Sequence, residues 1–431
     1  MKAIVGRSEI GGTVRAPPSK SYTHRGIVCG FLSRHTTKII NPLICDDTEA
    51  TQRLSRMMGA HLEIESSIRI TGPEKLQAPS LEMDCGGSAT TLRIFTALSA
   101  LTDGKCVLTG NHSLRARPMF DMLRALDQLG IKTSSYQGSN KPPIEVYGRG
   151  LQGGVVSIRG DISSQYISGL LLACSKAENE TRVELTTHLE SKPYVEMTIE
   201  VMRHFGIVVD PLSDQNTFRV PGKQEYRASE FVVPGDFSSA AIPLAAGSLC
   251  GKTEVNGLSR DSRQGDSLIL RFLENMGGSV TSSEGGFTTQ LSELHASDID
   301  VAHTPDLVPI LSVLATQALG TTRIYNAGRL RIKESDRLTS IRTELNKMGA
   351  RINETTDGLV IEGPTPLHGA DIDSHSDHRI AMACFVAALI AEGQTIINGV
   401  ECVTKSYPTF LEDMQSLGAE FELERNRRTA K

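Results

Sequence analysis

Residues 413–423 read DMQSLGAEFEL, and residues 343–352 read TELNKMGARI. In both, a helix-like run ends on a large apolar residue, a glycine follows, and a strand-like run begins. Glycine suits that place because a helix C-terminus that turns into a strand takes a left-handed residue, and glycine adopts it without a Cβ clash. The phrase recurs as LSRMMGAHLEI (54–64), LRALDQLGIKT (123–133), VMRHFGIVVD (201–210) and RFLENMGGSV (271–280). Its glycines, Gly59, Gly130, Gly206, Gly277, Gly349 and Gly418, lie 71, 76, 71, 72 and 69 residues apart. Six copies of one unit account for the 431 residues.

A second phrase alternates with the first: a small-residue-rich apolar helix, then a strand. It reads HRGIVCGFLSRHTTKII (24–40), TTLRIFTALSALTDGKCVL (90–108), SQYISGLLLACSKAENETRVEL (164–185), SSAAIPLAAGSLCGKTEV (238–255), DLVPILSVLATQALGTTRIY (306–325) and HRIAMACFVAALIAEGQTII (378–397). Apolar residues cover most faces of these helices, which predicts burial, whereas the helices before the repeated glycines carry charge on one side and are expected to face solvent. Solenoid repeats usually run 20 to 50 residues, so a unit this long predicts a small βαββαβ module, three to a domain, in an α/β protein. The proline-bearing stretches RAPPSKS (15–21) and FVVPGD (231–236) are the expected crossovers, which gives one domain from 1–18 with 234–431 and another from 19–233.

Reactive residues gather ahead of the six apolar helices: SKSYTHR (19–25), CGGSATTLR (85–93), DISSQ (161–165), PGDFSSA (234–240), HTPD (303–306) and SDHR (376–379). A single Ser or Asp there means only capping. Six equivalent helix mouths, several also bearing Lys or Arg, point to anion binding, because helix N-termini already offer free N–H groups and partial positive charge. In the first mouth Ser21 is expected to cap the helix, with Lys20 at its entrance and Arg25 one turn in. Further cations stand in LRARP (Arg117), RIKESDR (Lys333 and Arg337, expected on one face of a helical turn beside Glu334) and VTKSYP (Lys405).

Other signals narrow the class. A net charge of −5 argues against a nucleic-acid binder, and no apolar stretch approaches the length of a membrane span. The first residues lack the apolar core of a secretory signal, so the expected location is cytoplasmic. Eight cysteines without metal-ligand spacing fit free thiols. GRGLQG (148–153) matches G-x-G-x-x-G, but a strand-like run follows it, so a dinucleotide site is rejected. The tail ERNRRTAK (424–431) reads as a solvated terminus.

With these residues assembled, the chain resembles the 5-enolpyruvylshikimate-3-phosphate synthase family of enolpyruvyl transferases over essentially its whole length. SKSYTHR is similar to that family's S-K-S-x-x-x-R. LRARPM, SSQ, SKPY, PGDFSSA, QGD, PD, KESDR, DHR and TKSYP stand in the family's order. The resemblance implies two globular domains of three βαββαβ units each, with buried helices converging on an interdomain cleft that closes on substrate. It implies transfer of an enolpyruvyl group from phosphoenolpyruvate to shikimate 3-phosphate by a monomer without metal or organic cofactor. The phosphates and carboxylates of these substrates would be the anions that the helix mouths await.

Carried over by position, Lys20, Ser21, Arg25, Ser163, Ser164, Gln165, Ser191, Tyr194, Asp306 and Lys333 would surround shikimate 3-phosphate. Lys20, Ala89, Arg117, Gln165, Arg337, Arg379 and Lys405 would hold phosphoenolpyruvate. Asp306 would be the base and Glu334 the acid, with Lys20 sharing proton traffic. Three departures stand out: Gly87 where many members have Asn, Ala89 where they have Gly, and Arg329 where some have Asn. Ala89 implies reduced sensitivity to glyphosate, the family's phosphoenolpyruvate-competitive inhibitor. The sister UDP-N-acetylglucosamine enolpyruvyl transferases use a Lys-Asn pair and usually a loop Cys. Here Ser21 follows Lys20, and NHSLRARP (111–118) has no Cys.

Overall fold

The computed structural model describes residues 1–212 and 216–424. The basic tail, residues 425–431, lies outside them. The chain divides into two compact units, Met1–Pro17 with Gly235–Lys431 (the first unit) and Pro18–Pro234 (the second unit).

All six repeated glycines have positive φ, from 78° at Gly130 to 105° at Gly59. The apolar residue before each of them (Met58, Leu129, Phe205, Met276, Met348 and Leu417) is buried and pins the helix end to the core. The described residues form six four-stranded sheets, three in each unit. In the sheet of Gly154–Ile158, that strand pairs in parallel with Thr181–Leu185, which pairs antiparallel with Thr217–Val220, which pairs antiparallel with Asp210–Pro211. The other five sheets repeat the pattern.

Each module therefore runs β-α-β-α-β-β, which corrects the βαββαβ order expected from sequence. Parallel neighbours need a helical crossover, so the inner helix sits between two single strands and the outer helix delivers a hairpin. Chain order hides three of the modules. Lys2–Val5 completes the sheet of Asp371–Asp373, Ile10–Arg15 begins the sheet of Gly251–Asn256, and Glu230–Val232 supplies the edge of the sheet of Thr37–Ile40.

The inner helices are Lys20–Phe31, Ala89–Ser99 and Ser164–Cys174 in the second unit, and Phe237–Cys250, Val308–Gln317 and His378–Ile390 in the first. Burial is nearly complete, as the apolar pattern requires; His378 through Leu389 are all buried. Truncating a fully buried leucine such as Leu389 to alanine costs about 2–5 kcal/mol. Three of the outer helices depart from expectation, whereas Phe120–Gln128, Leu268–Asn275 and Phe410–Ser416 bury only apolar residues. Asp46–Met57 buries Asp47, Thr51 and Gln52, Lys192–His204 buries Thr198, and Arg337–Lys347 buries Arg337, Ser340 and Glu344. Their charged pattern reflects polar bonding to the inner helices as well as contact with solvent. Among the described residues no helix is long and apolar enough to cross a membrane.

Candidate active site

In the second unit, polar bonds link the N-terminal halves of the three inner helices into a ring. His24 Nδ1 lies 2.7 Å from Thr51 Oγ1, and Thr51 lies 2.8 Å from Thr91 Oγ1 on the next inner helix. Arg93 donates to Gln165 Oε1 at 2.6 Å and Ser163 Oγ at 3.2 Å, while Gln165 Nε2 donates to Thr90 Oγ1 at 2.7 Å. Ser168 meets Thr198 Oγ1 at 2.7 Å, and Arg25 Nε donates to that same oxygen at 2.7 Å, closing the circuit. Burial in this ring lowers His24 to a pKa of about 3 against the pull of Asp47, so the imidazole is neutral.

Arg25 is 2% exposed. It also donates to the Ser21 carbonyl at 2.9 Å and the Tyr194 carbonyl at 2.8 Å. All three acceptors are neutral, so its charge is not cancelled by them; burial lowers its pKa to about 10, which leaves it cationic at neutral pH. Tyr194 follows Ser191, the N-cap of Lys192–His204, which adopts the left-handed region at φ 51°. A non-glycine residue there carries backbone strain that the surrounding contacts must hold. Lys20 Nζ pairs with Asp47 Oδ2 at 3.0 Å. Arg117 is buried, and the next residue is anchored by Tyr166 Oη, which donates to the Pro118 carbonyl at 2.5 Å. The Arg93 guanidinium lies over the Tyr166 ring, 5.1 Å from its centroid, which connects this segment with the Ser163 helix mouth.

The first unit is built around Arg337, 2% exposed at the start of its helix. Its Nε donates to Asp377 Oδ2 at 2.8 Å, one Nη to Asp306 Oδ1 at 2.6 Å and the other to Glu334 Oε2 at 2.9 Å. Burial opposes that charge, and Asp377, Glu334 and Asp306 overcome it, so Arg337 stays protonated. Asp377 is itself the N-cap of His378–Ile390, accepting from Arg379 N at 3.0 Å, and also accepts from Ser335 Oγ at 3.1 Å. Arg379 in turn donates to the Ser238 carbonyl at 2.7 Å, which ties two inner helices together. Lys333 Nζ stands 3.6 Å from Asp306 Oδ1, and Lys405 Nζ stands 3.4 Å from Glu334 Oε1.

Electrostatics divide the carboxylates. Burial pushes the Asp306 pKa up, but Lys333, Arg337 and Arg379 outweigh it and hold it below the usual range, so Asp306 is ionised. Asp266, 1% exposed and hydrogen-bonded to Ser238 Oγ, moves the other way: burial first, then the charge of Asp306, raise its pKa. Burial lowers Lys333 against the pull of Asp306.

A model of the family described as EPSP synthase (3-phosphoshikimate 1-carboxyvinyltransferase) matches residues 4–414. The chain belongs to the EPSP synthase family. Its similarity to the 3-phosphoshikimate 1-carboxyvinyltransferase of Methanocella arvoryzae is 44% identity over 427 residues, covering 98% of this chain and 100% of that protein. The enzyme of the same name from Methanosarcina mazei is 44% identical over 426 residues, covering 97% and 98%. Among solved structures, an EPSP synthase of Acinetobacter baumannii superimposes with a TM-score of 0.85 at 28% identity, covering 98% of this chain and 100% of that one. The enolpyruvyl transferase NikO of Streptomyces tendae, with a TM-score of 0.80 at 19% identity and 98% coverage of both chains, shares the fold.

Within this EPSP synthase family member, the residues singled out from sequence fall into two groups. Lys20, Ser21, Arg25, Ala89, Arg117, Ser163, Ser164, Gln165, Ser191 and Tyr194 lie in the second unit, and Asp306, Lys333, Glu334, Arg337, Arg379 and Lys405 in the first. Two local readings are corrected. Ser19, not Ser21, is the N-cap of Lys20–Phe31, because the extended backbone at Ser19 ends there and its carbonyl already accepts from Thr23. Lys333 and Arg337 do not share a helical turn: Lys333 is extended, at ψ −150°, and the helix begins at Arg337. Both nevertheless reach Asp306. Asp306 lies in the 3-10 turn Pro305–Leu307, ahead of the inner helix Val308–Gln317.

Four partners escaped the sequence reading: Arg93, Asp47, Thr198 and Asp377. Arg93 carried a signal, standing four residues after Ala89 on one helix face. Asp377 stood in the SDHR stretch but read as a cap alone. Thr198 carried none, since its link to Arg25 spans 173 residues.

Proposed function

We propose that the chain transfers the enolpyruvyl group of phosphoenolpyruvate to the 5-hydroxyl of shikimate 3-phosphate, releasing inorganic phosphate. In this reading the hydroxyl oxygen bonds to C2 of phosphoenolpyruvate while C3 takes up a proton. Loss of a C3 proton and of phosphate from C2 then restores the double bond in the product. Lys20, Ser21, Arg25, Ser163, Ser164, Gln165, Ser191, Tyr194 and Lys333 hold shikimate 3-phosphate. Lys20, Ala89, Arg117, Gln165, Arg337, Arg379 and Lys405 hold phosphoenolpyruvate.

The observation that carries the assignment of proton roles is the placing of Asp306 and Glu334 on two nitrogens of one buried guanidinium, Arg337. Two carboxyl groups held beside a cation suit one proton removal and one delivery. Asp306, which also faces shikimate 3-phosphate, takes the hydroxyl proton; Glu334 serves the methylene carbon, and Lys20 shares the traffic. Lys333, Arg337 and Arg379 hold Asp306 ionised but weakly basic. Substrate anions that engage those cations relieve their pull and raise its basicity as the substrates bind.

The same reading takes the chain as a cytoplasmic monomer that requires no nucleic acid, membrane or cofactor. The test is phosphate release from phosphoenolpyruvate with shikimate 3-phosphate, with UDP-N-acetylglucosamine as the competing acceptor. Release with shikimate 3-phosphate alone supports it; release with the nucleotide sugar, or with neither acceptor, overturns it.

A further inference from the structure

Glu344 lies on the outer helix Arg337–Lys347, seven residues after Arg337 and so on the same face two turns along. It is 1% exposed. One oxygen accepts from His375 Nε2 at 2.8 Å; the other accepts from Lys347 Nζ at 2.7 Å and Asp373 N at 3.1 Å. Two of those donors belong to one short segment, residues 373–377, which leads into His378–Ile390. In that segment His375 and Ser376 are both left-handed, at φ 52° and 53°. Two successive non-glycine residues in that region are strained, and such a conformation persists only where the surroundings enforce it. Ser374 is fixed by Asn398 and Gly399, and Asp377 N donates to the Ser374 carbonyl at 2.9 Å. At the end of the segment stands Asp377, the ligand of Arg337 and the cap that orients Arg379 N.

One helix thus grips one strained segment at two points, through Glu344 at Asp373 and His375 and through Arg337 at Asp377. A buried carboxylate placed merely to satisfy Lys347 would not need two donors from the segment that carries Asp377.

We propose that Glu344 and His375 are positioning residues for phosphoenolpyruvate, holding residues 373–377 in the strained conformation that places Asp377, and through it Arg337 and Arg379. This rests on the proposed function for the identity of the ligand. Neither residue touches substrate. Release of the segment lets Asp377 withdraw from Arg337, so the loss falls on phosphoenolpyruvate and spares shikimate 3-phosphate, whose residues lie mainly in the second unit.

The test measures the phosphoenolpyruvate KM in turnover and the shikimate 3-phosphate Kd by calorimetry, for wild type, Glu344→Gln, Glu344→Asp and His375→Asn. Asparagine tolerates the left-handed region, so His375→Asn keeps the backbone and removes the reach to Glu344; it covers the case in which Glu344→Gln fails to fold. Glu344→Gln should raise the phosphoenolpyruvate KM about tenfold and His375→Asn severalfold, with the shikimate 3-phosphate Kd within about twofold. Glu344→Asp, which keeps the charge, should recover part of the loss. An unchanged phosphoenolpyruvate KM in the folded variants, or equal weakening of both substrates, overturns the clamp. Absence of turnover in wild type would instead overturn the proposed function.

Discussion

The two units share one module and hold their cations differently. In the second unit Arg25 donates to Thr198, Ser21 and Tyr194 oxygens, all neutral, and Arg93 donates to Ser163 and Gln165. In the first unit Arg337 contacts three carboxylates, those of Asp377, Asp306 and Glu334. A guanidinium held by neutral dipoles keeps its charge for an incoming anion. One surrounded by carboxylates has its charge balanced before substrate arrives, so besides engaging an anion it also sets which neighbours carry protons. Under the proposed function, the second unit presents a cation with neutral partners to shikimate 3-phosphate, and the first unit combines phosphoenolpyruvate binding with proton handling. Among the second unit's candidate site residues, Lys20 departs from this contrast by pairing with a carboxylate, Asp47.

The strongest way to break that contrast is to remove the carboxylates. Asp306→Ala and Glu334→Ala should each lower turnover by about 10²–10⁴, typical of a lost acid or base, with shikimate 3-phosphate binding changed far less. Steady-state kinetics beside calorimetry separates the two, and near-normal turnover in both variants would defeat the assignment. In the second unit, Arg25→Lys keeps a charge and loses the three-pronged grip. It should weaken shikimate 3-phosphate by roughly tenfold to a hundredfold. Unchanged affinity by calorimetry would mean that Arg25 serves the helix ring alone.

Ala89 sharpens the comparison within the second unit. It is the first residue of its helix and 8% exposed, so its methyl is packed where family members with glycine have none. Ala89→Gly should strengthen glyphosate inhibition about tenfold, with a smaller change in the KM of the shorter phosphoenolpyruvate. Equal inhibition constants for the two proteins would remove Ala89 from the account.

What was legible in the sequence was local. The six left-handed glycines, the apolar inner helices and the polar helix mouths each announce themselves within about a dozen residues. The ring through Thr198 and the chelation of Arg337 by Asp377 join positions 173 and 40 residues apart, and neither partner's own neighbourhood signals the other. Strand order failed for a related reason. Lys2–Val5 and Ile10–Arg15 are consecutive in the chain but complete different sheets, a pairing that only tertiary contact decides.

Asp266 offers the finest test of the first unit's electrostatics. Burial and the charge of Asp306 raise its pKa from 3.8 to about 7. Between those values the folded chain retains a proton that the unfolded chain has released. Its contribution to stability is therefore complete below the lower value and falls as pH rises toward 7, by at most about 1.4 kcal/mol per pH unit. Asp306, held low, acts with the opposite sign: its contribution is present above the ordinary carboxylate range and is lost on acidification. Asp266→Asn can keep the hydrogen bond to Ser238 but has no proton to lose. Urea unfolding at pH 5 and pH 7 should show wild type losing stability relative to Asp266→Asn between the two, since other groups titrate alike in both proteins. Parallel pH dependence in the pair would mean that Asp266 is ionised in the native state and that the cations of this cluster offset its charge as well as that of Asp306.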